Sequence, residues 1–508
     1  MPEIPPPQTE IHSETPQYGS CRPDPLYEPA AIVIFGATGD LTSRKLFPAL
    51  YSLFVGGILP PRFAIIGVGR SAWTDDRFRQ TMREQVRASP QFTQTLWEDL
   101  EPRLRYVQQA YDQDFQPLAQ DLETIDAAFG LQGNRLWYLA VPPDAYTAIA
   151  RGLGEIGLAS EKQGWSRFVV EKPFGRDRAS AEALDANLHT YFAEHQIFRI
   201  DHYLAKETVQ NILMLRFANT MFEPVWNRRY VDSVQIVAAE SLGVGHRAGY
   251  YDRFGVLRDM FQNHMLQLLS LSAMEPPSHF EADRIRDEKT KIYRSLRPFD
   301  QQRVDSDLVL GQYTAGSIDG DPVVGYREET GVPQASLTPT FAAMRVYVDN
   351  WRWQGVPFYL VSGKRLAAKR TEIRIQFKHV PYSFFRGVLS EDIAANTLVL
   401  GIQPREEVNL EFQTKVPGGK ICLRPVRMHF DYHQGTGGPV LEAYEKVLLD
   451  CLLGDQTLFW RQDGVELCWG FLTPILQESE SGQSKKRLHM YEAGSWGPQA
   501  ARRFLPSL

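Results

Sequence analysis

Nine consecutive residues, Arg199-Ile200-Asp201-His202-Tyr203-Leu204-Ala205-Lys206-Glu207, set a carboxylate, an imidazole, a phenol and an ammonium close together. Such a group can hold a phosphate with its cations and orient a base with its acid. A second polar stretch, Glu171-Lys172-Pro173-Phe174-Gly175, brings another ammonium in front of a proline, in a position where the peptide bond can be cis. A third, Gly36-Ala37-Thr38-Gly39-Asp40-Leu41, follows an apolar run. Its glycines let the backbone approach a pyrophosphate, and the helix behind it offers free amides. Each has an ordinary alternative. Asp201 can cap the helix that runs through Val209, Ile212 and Leu213, Lys172 can be a solvated loop residue, and the glycine turn departs from the GxGxxG pattern.

The elements around these stretches favour the chemical reading. Ala31 to Phe35, Phe63 to Val68, Leu136 to Val141, Phe168 to Val170 and Ile197 to Ile200 are continuous apolar runs separated by helical patterns. Strands of that kind predict a parallel sheet covered on both faces, a Rossmann-like unit. All three polar stretches then lie at the carboxyl ends of strands, where doubly wound sheets bind their ligands, so Lys172, Asp201, His202, Tyr203 and Lys206 are expected to converge. The second strand ends in Gly67-Val68-Gly69-Arg70-Ser71, with no carboxylate for a ribose hydroxyl. Arg70 can instead fork onto the 2′-phosphate of NADP, unless it is a surface arginine; Asp75 and Asp76 come too late to bind the ribose.

Beyond about residue 230 the period changes to two. Ile373, Ile375 and Phe377 alternate with polar residues, as do Val408, Leu410 and Phe412, and then Val426, Met428 and Phe430. This predicts a mainly antiparallel sheet with covering helices, two of them over Asp259 to Leu271 and Val440 to Leu453, the latter between Pro439 and Gly454. The expected organisation is a mobile proline-rich tail over 1–29, a Rossmann-like coenzyme domain over 30–202, and an α+β substrate and oligomerisation domain over 203–508.

Composition narrows the function classes. With 508 residues, 43% of them hydrophobic, the chain should bury more than one core. A formal charge of −6 argues against a nucleic-acid surface, so an anionic substrate needs a local cationic cluster. Cys21, Cys422, Cys451 and Cys468 show neither disulfide nor zinc spacing, and no apolar run is long enough to span a membrane; a cytoplasmic enzyme is expected. Asp319-Gly320-Asp321 reads as a turn, and Gly435, Gly437 and Gly438 as a helix-entry loop.

The strings at 36–41, 171–175 and 199–207, in that order, resemble the signatures of the glucose-6-phosphate dehydrogenase family. The resemblance continues through Gly255 to His264, Thr340 to Ala343 and Gly363 to Leu366, covering roughly residues 30 to 490. Position 205 departs from it, carrying alanine where the family commonly has glycine. The resemblance implies oxidation of glucose 6-phosphate at carbon 1 by NADP without a metal, the first step of the oxidative pentose phosphate pathway. It makes His264 the base, although alone among Met260, Phe261, Met265 and Leu268 that histidine reads as core, and it makes Asp201 its orienting acid. It gives Lys172, His202, Tyr203, Lys206, Glu240, Asp259, Lys364 and Lys369, or Arg370 beside the last, to the sugar phosphate. Gly36, Thr38, Gly39, Asp40, Leu41, Lys45, Arg70 and Lys172 fall to the cofactor. It further implies a homodimer or homotetramer built through the large sheet, and leaves room for an activator protein, as in photosynthetic bacterial relatives. A related hexose-phosphate dehydrogenase and a silent NADP-binding regulatory subunit are the competing classes.

Overall fold

The computed structural model describes residues 26, 28–385, 393–419, 421–431, 441–480, 487–503 and 505. Strands β1 (Ala30–Phe35), β2 (Phe63–Gly69), β3 (Leu104–Gln108), β4 (Arg135–Leu139), β5 (Ser166–Val170) and β6 (Ile197–Arg199) form one parallel sheet. Their order, β3-β2-β1-β4-β5-β6, reverses between β1 and β4, and a ligand crevice opens at such a reversal. Every residue of β1 and β2 is buried, which is why both read as unbroken apolar runs. β3 escaped the sequence reading because Arg105 and Gln108 interrupt a five-residue edge strand. β4 ends at Leu139, two residues short of the expected Val141 and just before Pro142 and Pro143.

A second sheet runs β16-β15-β14-β13-β7-β12-β11-β8-β17. Its strands are β7 (Val231–Ala239), β8 (Leu308–Thr314), β11 (Phe341–Tyr347), β12 (Pro357–Gly363), β13 (Arg370–Phe377), β14 (Thr397–Gln403), β15 (Glu407–Lys415), β16 (Leu423–Asp431) and β17 (Leu488–Glu492). Pairing is antiparallel except between β7 and β12 and between β8 and β17. β9 (Gly316–Ile318) and β10 (Asp321–Val323) form a separate hairpin. Its turn is Asp319-Gly320, both at positive φ, as the turn reading expected.

The helix expected from Asp259 is part of a continuous helical run, Leu257–Met265 followed by Leu266–Ala273, and its first nine residues are π-helical. The helix expected from Val440 is described from Ala443 to Leu453; Pro439, Val440 and the three glycines before them lie outside the described residues. The Glu442 amide at its N-terminus donates to Glu445 Oε2 at 3.0 Å, and Gly454, at φ 79°, closes it as expected. This helix and Gln462–Glu480 fold back onto the first sheet. Val447, Leu448 and Leu452 join the core under β1, and the Trp469 indole donates to the Phe174 carbonyl at 2.8 Å. Burying side chains of this size contributes about 1.5–3 kcal/mol each, so the C-terminal helices clamp the two sheets together. Within the tail expected over 1–29, Leu26 is buried and its amide donates to the Ile58 carbonyl, and the Pro29 carbonyl accepts from Asn134.

Candidate active site

Gly36 leaves β1 at φ 84°, and a Cβ there would lie 2.2 Å from the Ala140 carbonyl oxygen, so only glycine allows this turn against β4. Thr42 Oγ1 donates to the Gly36 carbonyl at 3.1 Å, fixing the loop to the helical turn behind it. Thr38 and Asp40 are exposed along the loop, Gly39 and Leu41 are half-buried, and Lys45 is exposed one turn on. Arg70 lies exposed at the end of β2, next to Gly69, whose Cβ position is 3.7 Å from Thr38. Tyr111 faces both: its hydroxyl meets the Gly36 backbone and the charge of Arg70. Asp75 is engaged elsewhere, accepting from the Tyr106 amide at 2.7 Å. Glycine loop and exposed cation together suit a nicotinamide dinucleotide.

A buried polar chain crosses from the first sheet to the helix at 257–273. The Lys172-Pro173 bond is cis, and Lys172 Nζ stands 2.9 Å from His264 Nε2 and 3.1 Å from the Asp259 carbonyl. His264 Nδ1 stands 2.5 Å from Asp201 Oδ1, which also accepts the Tyr203 amide at 3.0 Å. This network assigns the Nδ1 proton toward Asp201 and leaves the Nε2 lone pair to accept from the Lys172 ammonium at the edge of the crevice. The Tyr203 ring stacks on His264 at 4.0 Å, and His202 meets it edge-on at 4.9 Å. Asp201 therefore holds His264 and caps no helix among the described residues, and Lys172 is no solvated loop residue. Burial would raise the Asp201 carboxyl, but His264 outweighs it and holds it at about 2; burial pushes His264 down, against the pull of Asp201. Asp201, His202 and His264 also lie close enough to share a metal ion, but Nδ1 is already taken by Asp201 and the Lys172 ammonium opposes a cation at Nε2.

The second sheet supplies the rest from its strand ends. Glu240 follows β7 and pairs with Lys364, which follows β12. Asp259, raised by burial but brought down by Lys172 and Lys364, is held at about 2. Lys206 Nζ donates to Gln403 Oε1 at 2.6 Å and sits 4.4 Å over the Tyr203 ring. Burial, with Lys369 beside it, lowers the Lys206 ammonium to about 8. Lys369 thus faces Lys206, whereas Arg370 stacks 4.4 Å over Trp496 and pairs with Glu372. Lys172, Lys206, Lys364 and Lys369 thus gather as a local cationic focus on an otherwise acidic chain.

Residues 33–211 match the family described as glucose-6-phosphate dehydrogenase, NAD binding domain, and residues 213–507 match its C-terminal domain. The chain belongs to the glucose-6-phosphate dehydrogenase family. A glucose-6-phosphate 1-dehydrogenase of Aggregatibacter actinomycetemcomitans is 48% identical over 480 residues, 94% of this chain and 96% of that protein. One of Bacillus subtilis is 42% identical over 473 residues, 92% and 95% of the two chains. A solved glucose-6-phosphate dehydrogenase in complex with its substrate glucose-6-phosphate superposes with TM-score 0.87 at 35% identity, covering 95% of this chain and 98% of its own. Within this family member, sequence reasoning missed Gln403, Thr371 and Tyr111. Gln403 ends β14 before a cis proline, as Lys172 nearly ends β5 before another, and polar residues before strand-end prolines were the available signal. Thr371 bonds both the Tyr203 hydroxyl and Gln403.

Proposed function

We propose that the chain oxidises glucose 6-phosphate at carbon 1 to the phosphogluconolactone, with NADP as the acceptor, and that its coenzyme and substrate domains are 30–202 and 203–508. The observation that carries this reading is the Asp201–His264–Lys172 chain, which aims a neutral imidazole at a crevice rimmed by lysines. His264 Nε2 takes the proton of the carbon 1 hydroxyl, Asp201 stabilises the imidazolium that results, and Lys172 orients the sugar beside it. Lys206, Lys369, His202 and Tyr203 hold the phosphate, while Glu240, Asp259 and Lys364 position ring hydroxyls. A nicotinamide dinucleotide on the glycine loop, lined by Gly36 to Leu41 with Lys45, Arg70 and Lys172, supplies the hydride acceptor. The intact Asp201 and His264 disfavour a silent regulatory subunit.

Purified protein given NADP and glucose 6-phosphate should reduce NADP, with NAD, free glucose and other hexose phosphates as controls. Bound NADP with no reduction would defeat the reading. Arg70→Ala should raise the KM for NADP about tenfold or more, the value of one charge-assisted contact, and barely change that for NAD. Equal changes for both would remove Arg70 from the 2′-phosphate.

The pH dependence has two signs. Because burial lowers His264, kcat should hold below the ordinary imidazole value of about 6.5 and fall only as the pH drops further and the base is protonated. Lys206 must be charged to attract phosphate, so kcat/KM should decline as the pH rises through about 8. Lys206→Arg should move the alkaline limb upward and leave the acid limb in place; an unmoved alkaline limb would assign it to another group.

Pairing with another copy through the second sheet is what the family leads one to expect, and Met428 and Phe430, 43% and 44% exposed on the edge strand β16, suit such a contact. No described helix is long and apolar enough to cross a membrane, and the cysteine usage suits the cytoplasm. Cys451 is fully buried and its thiol is pushed up by burial, which disfavours it as a redox sensor.

A further inference from the structure

The loop that carries Lys172 runs from β5 to the helix Arg178–His189, and its backbone is held from two sides. On the near side, the Tyr146 hydroxyl donates to the Glu171 carbonyl at 2.8 Å. On the far side, two donors arrive from distant parts of the chain. The buried Trp469 indole donates to the Phe174 carbonyl and Arg258 Nε to the Arg176 carbonyl, both at 2.8 Å. Arg258 Nη1 pairs in turn with Glu480 Oε1 at 2.6 Å, and Glu480 and Trp469 share the helix Gln462–Glu480. Arg258 directly precedes Asp259, whose carbonyl accepts from Lys172 at 3.1 Å, on the π-helical run that carries His264. The loop and that run are therefore joined twice, Lys172 to Asp259 and Arg176 to Arg258, with Trp469 as a third fixed point. A lysine side chain is long and flexible, and holding its ammonium 2.9 Å from His264 Nε2 costs conformational entropy that a fixed backbone reduces.

We propose that Arg258 and Trp469 are positioning residues for the reaction: by holding the carbonyls of Arg176 and Phe174 they fix the loop so that the Lys172 ammonium stands against His264 Nε2. The inference rests on the reading of His264 as the base and Lys172 as the group that orients the sugar beside it. A cation at 2.9 Å disfavours the imidazolium, so a Lys172 set loose lets His264 keep a proton to higher pH. The other charged or titratable groups facing His264 are Asp201 at Nδ1, Asp259 on its own helical run, and His202, whose ring lies 4.9 Å away.

The test compares Trp469→Phe and Arg258→Met, each alone and combined with Lys172→Gln. Glu480→Gln is the control that breaks the ion pair of Arg258 and leaves its bond to the Arg176 carbonyl. The readouts are kcat, the KM for glucose 6-phosphate, the acid limb of kcat, and thermal unfolding. Trp469→Phe and Arg258→Met should each lower kcat about tenfold, keep that KM within about threefold, and move the acid limb up by about half a pH unit. Glu480→Gln should leave kcat nearly unchanged, because an ion pair with a carboxylate 57% exposed adds little. In the Lys172→Gln background the two substitutions should add less than about a further twofold, since no ammonium remains to be placed. A folded variant with an unmoved acid limb overturns the proposal, and so does an undiminished loss in the Lys172→Gln background, which is what a purely structural role predicts. The two substitutions act at different carbonyls, so if one fails to fold the other decides under the same criteria. Arg258→Lys, which keeps the charge and loses the fork, serves if neither folds. Failure of the underlying reading looks different, because Lys172→Gln alone would then leave kcat and KM intact.

Discussion

His264→Asn is expected to lower turnover by about 100- to 10,000-fold while folding and dinucleotide binding persist. Asparagine keeps a donor for Asp201 Oδ1 and fills much of the imidazole's place under Tyr203, so the wall of the crevice survives. It has no basic lone pair where Nε2 stood 2.9 Å from Lys172, so the hydroxyl proton has no acceptor as hydride leaves. The loss should appear in kcat, with KM for both substrates within a few-fold, because no group that holds phosphate or dinucleotide is altered. Coenzyme fluorescence titration separates binding from turnover, and thermal unfolding checks the fold. Near-normal turnover would mean another group takes the proton. A large loss accompanied by lost dinucleotide binding would mean that His264 is a packing residue, as its apolar neighbours Met260, Phe261 and Met265 first suggest.

The first sheet was legible because its strands are buried on both faces and spell themselves as apolar runs. Four of the five expected strands agree in place, and the fifth, β4, is trimmed at Val141. The omitted β3 is the edge strand, where one flank is polar and the run signal fades. The second sheet was legible by its period of two at β13, yet β15 and β16 bury little, and Asn409 is more buried than Val408 or Leu410 beside it. Alternation there marks which residues share a side without saying what covers that side.

The site divides in the same way. Lys172, Asp201, His202, Tyr203 and Lys206 could be placed together from sequence because each follows a strand of one parallel sheet, and topology alone brings such ends to one edge. His264, Glu240, Asp259 and Lys364 come from another sheet and a helix far along the chain, and only the family resemblance pointed to them. No local pattern announces that a helix will be π-wound over Leu257–Met265 and so present His264 to Asp201 and Lys172 together. Gln403 and Thr371 were missed for a related reason. Both act by holding Tyr203 and Lys206, and a residue that works through another carries no chemical signature of its own.

Lys206→Gln is expected to lower kcat/KM for glucose 6-phosphate by about 100- to 1,000-fold, nearly all of it through KM. Removing one partner of a hydrogen-bonded charge pair in an enclosed site costs about 2–5 kcal/mol, and each 1.4 kcal/mol is roughly tenfold. Lys206 fits that case. Gln403 fixes its ammonium at 2.6 Å, the Tyr203 ring lies under it, and Lys369 adds a second positive charge that a bound phosphate would neutralise. In the free protein that second charge is repulsive, so Lys206→Gln should leave stability unchanged or slightly raised even as substrate binding collapses. Opposed changes of that kind separate a binding lysine from a structural one. Free glucose supplies the deciding control. It has no phosphate to lose contact with, so its slow turnover should be unaffected, and the preference for the phosphorylated sugar should shrink by the same 100- to 1,000-fold. An equal loss with both sugars would place Lys206 in the support of Tyr203 and His264 instead, and would shift the search for the phosphate site to Lys369 and His202.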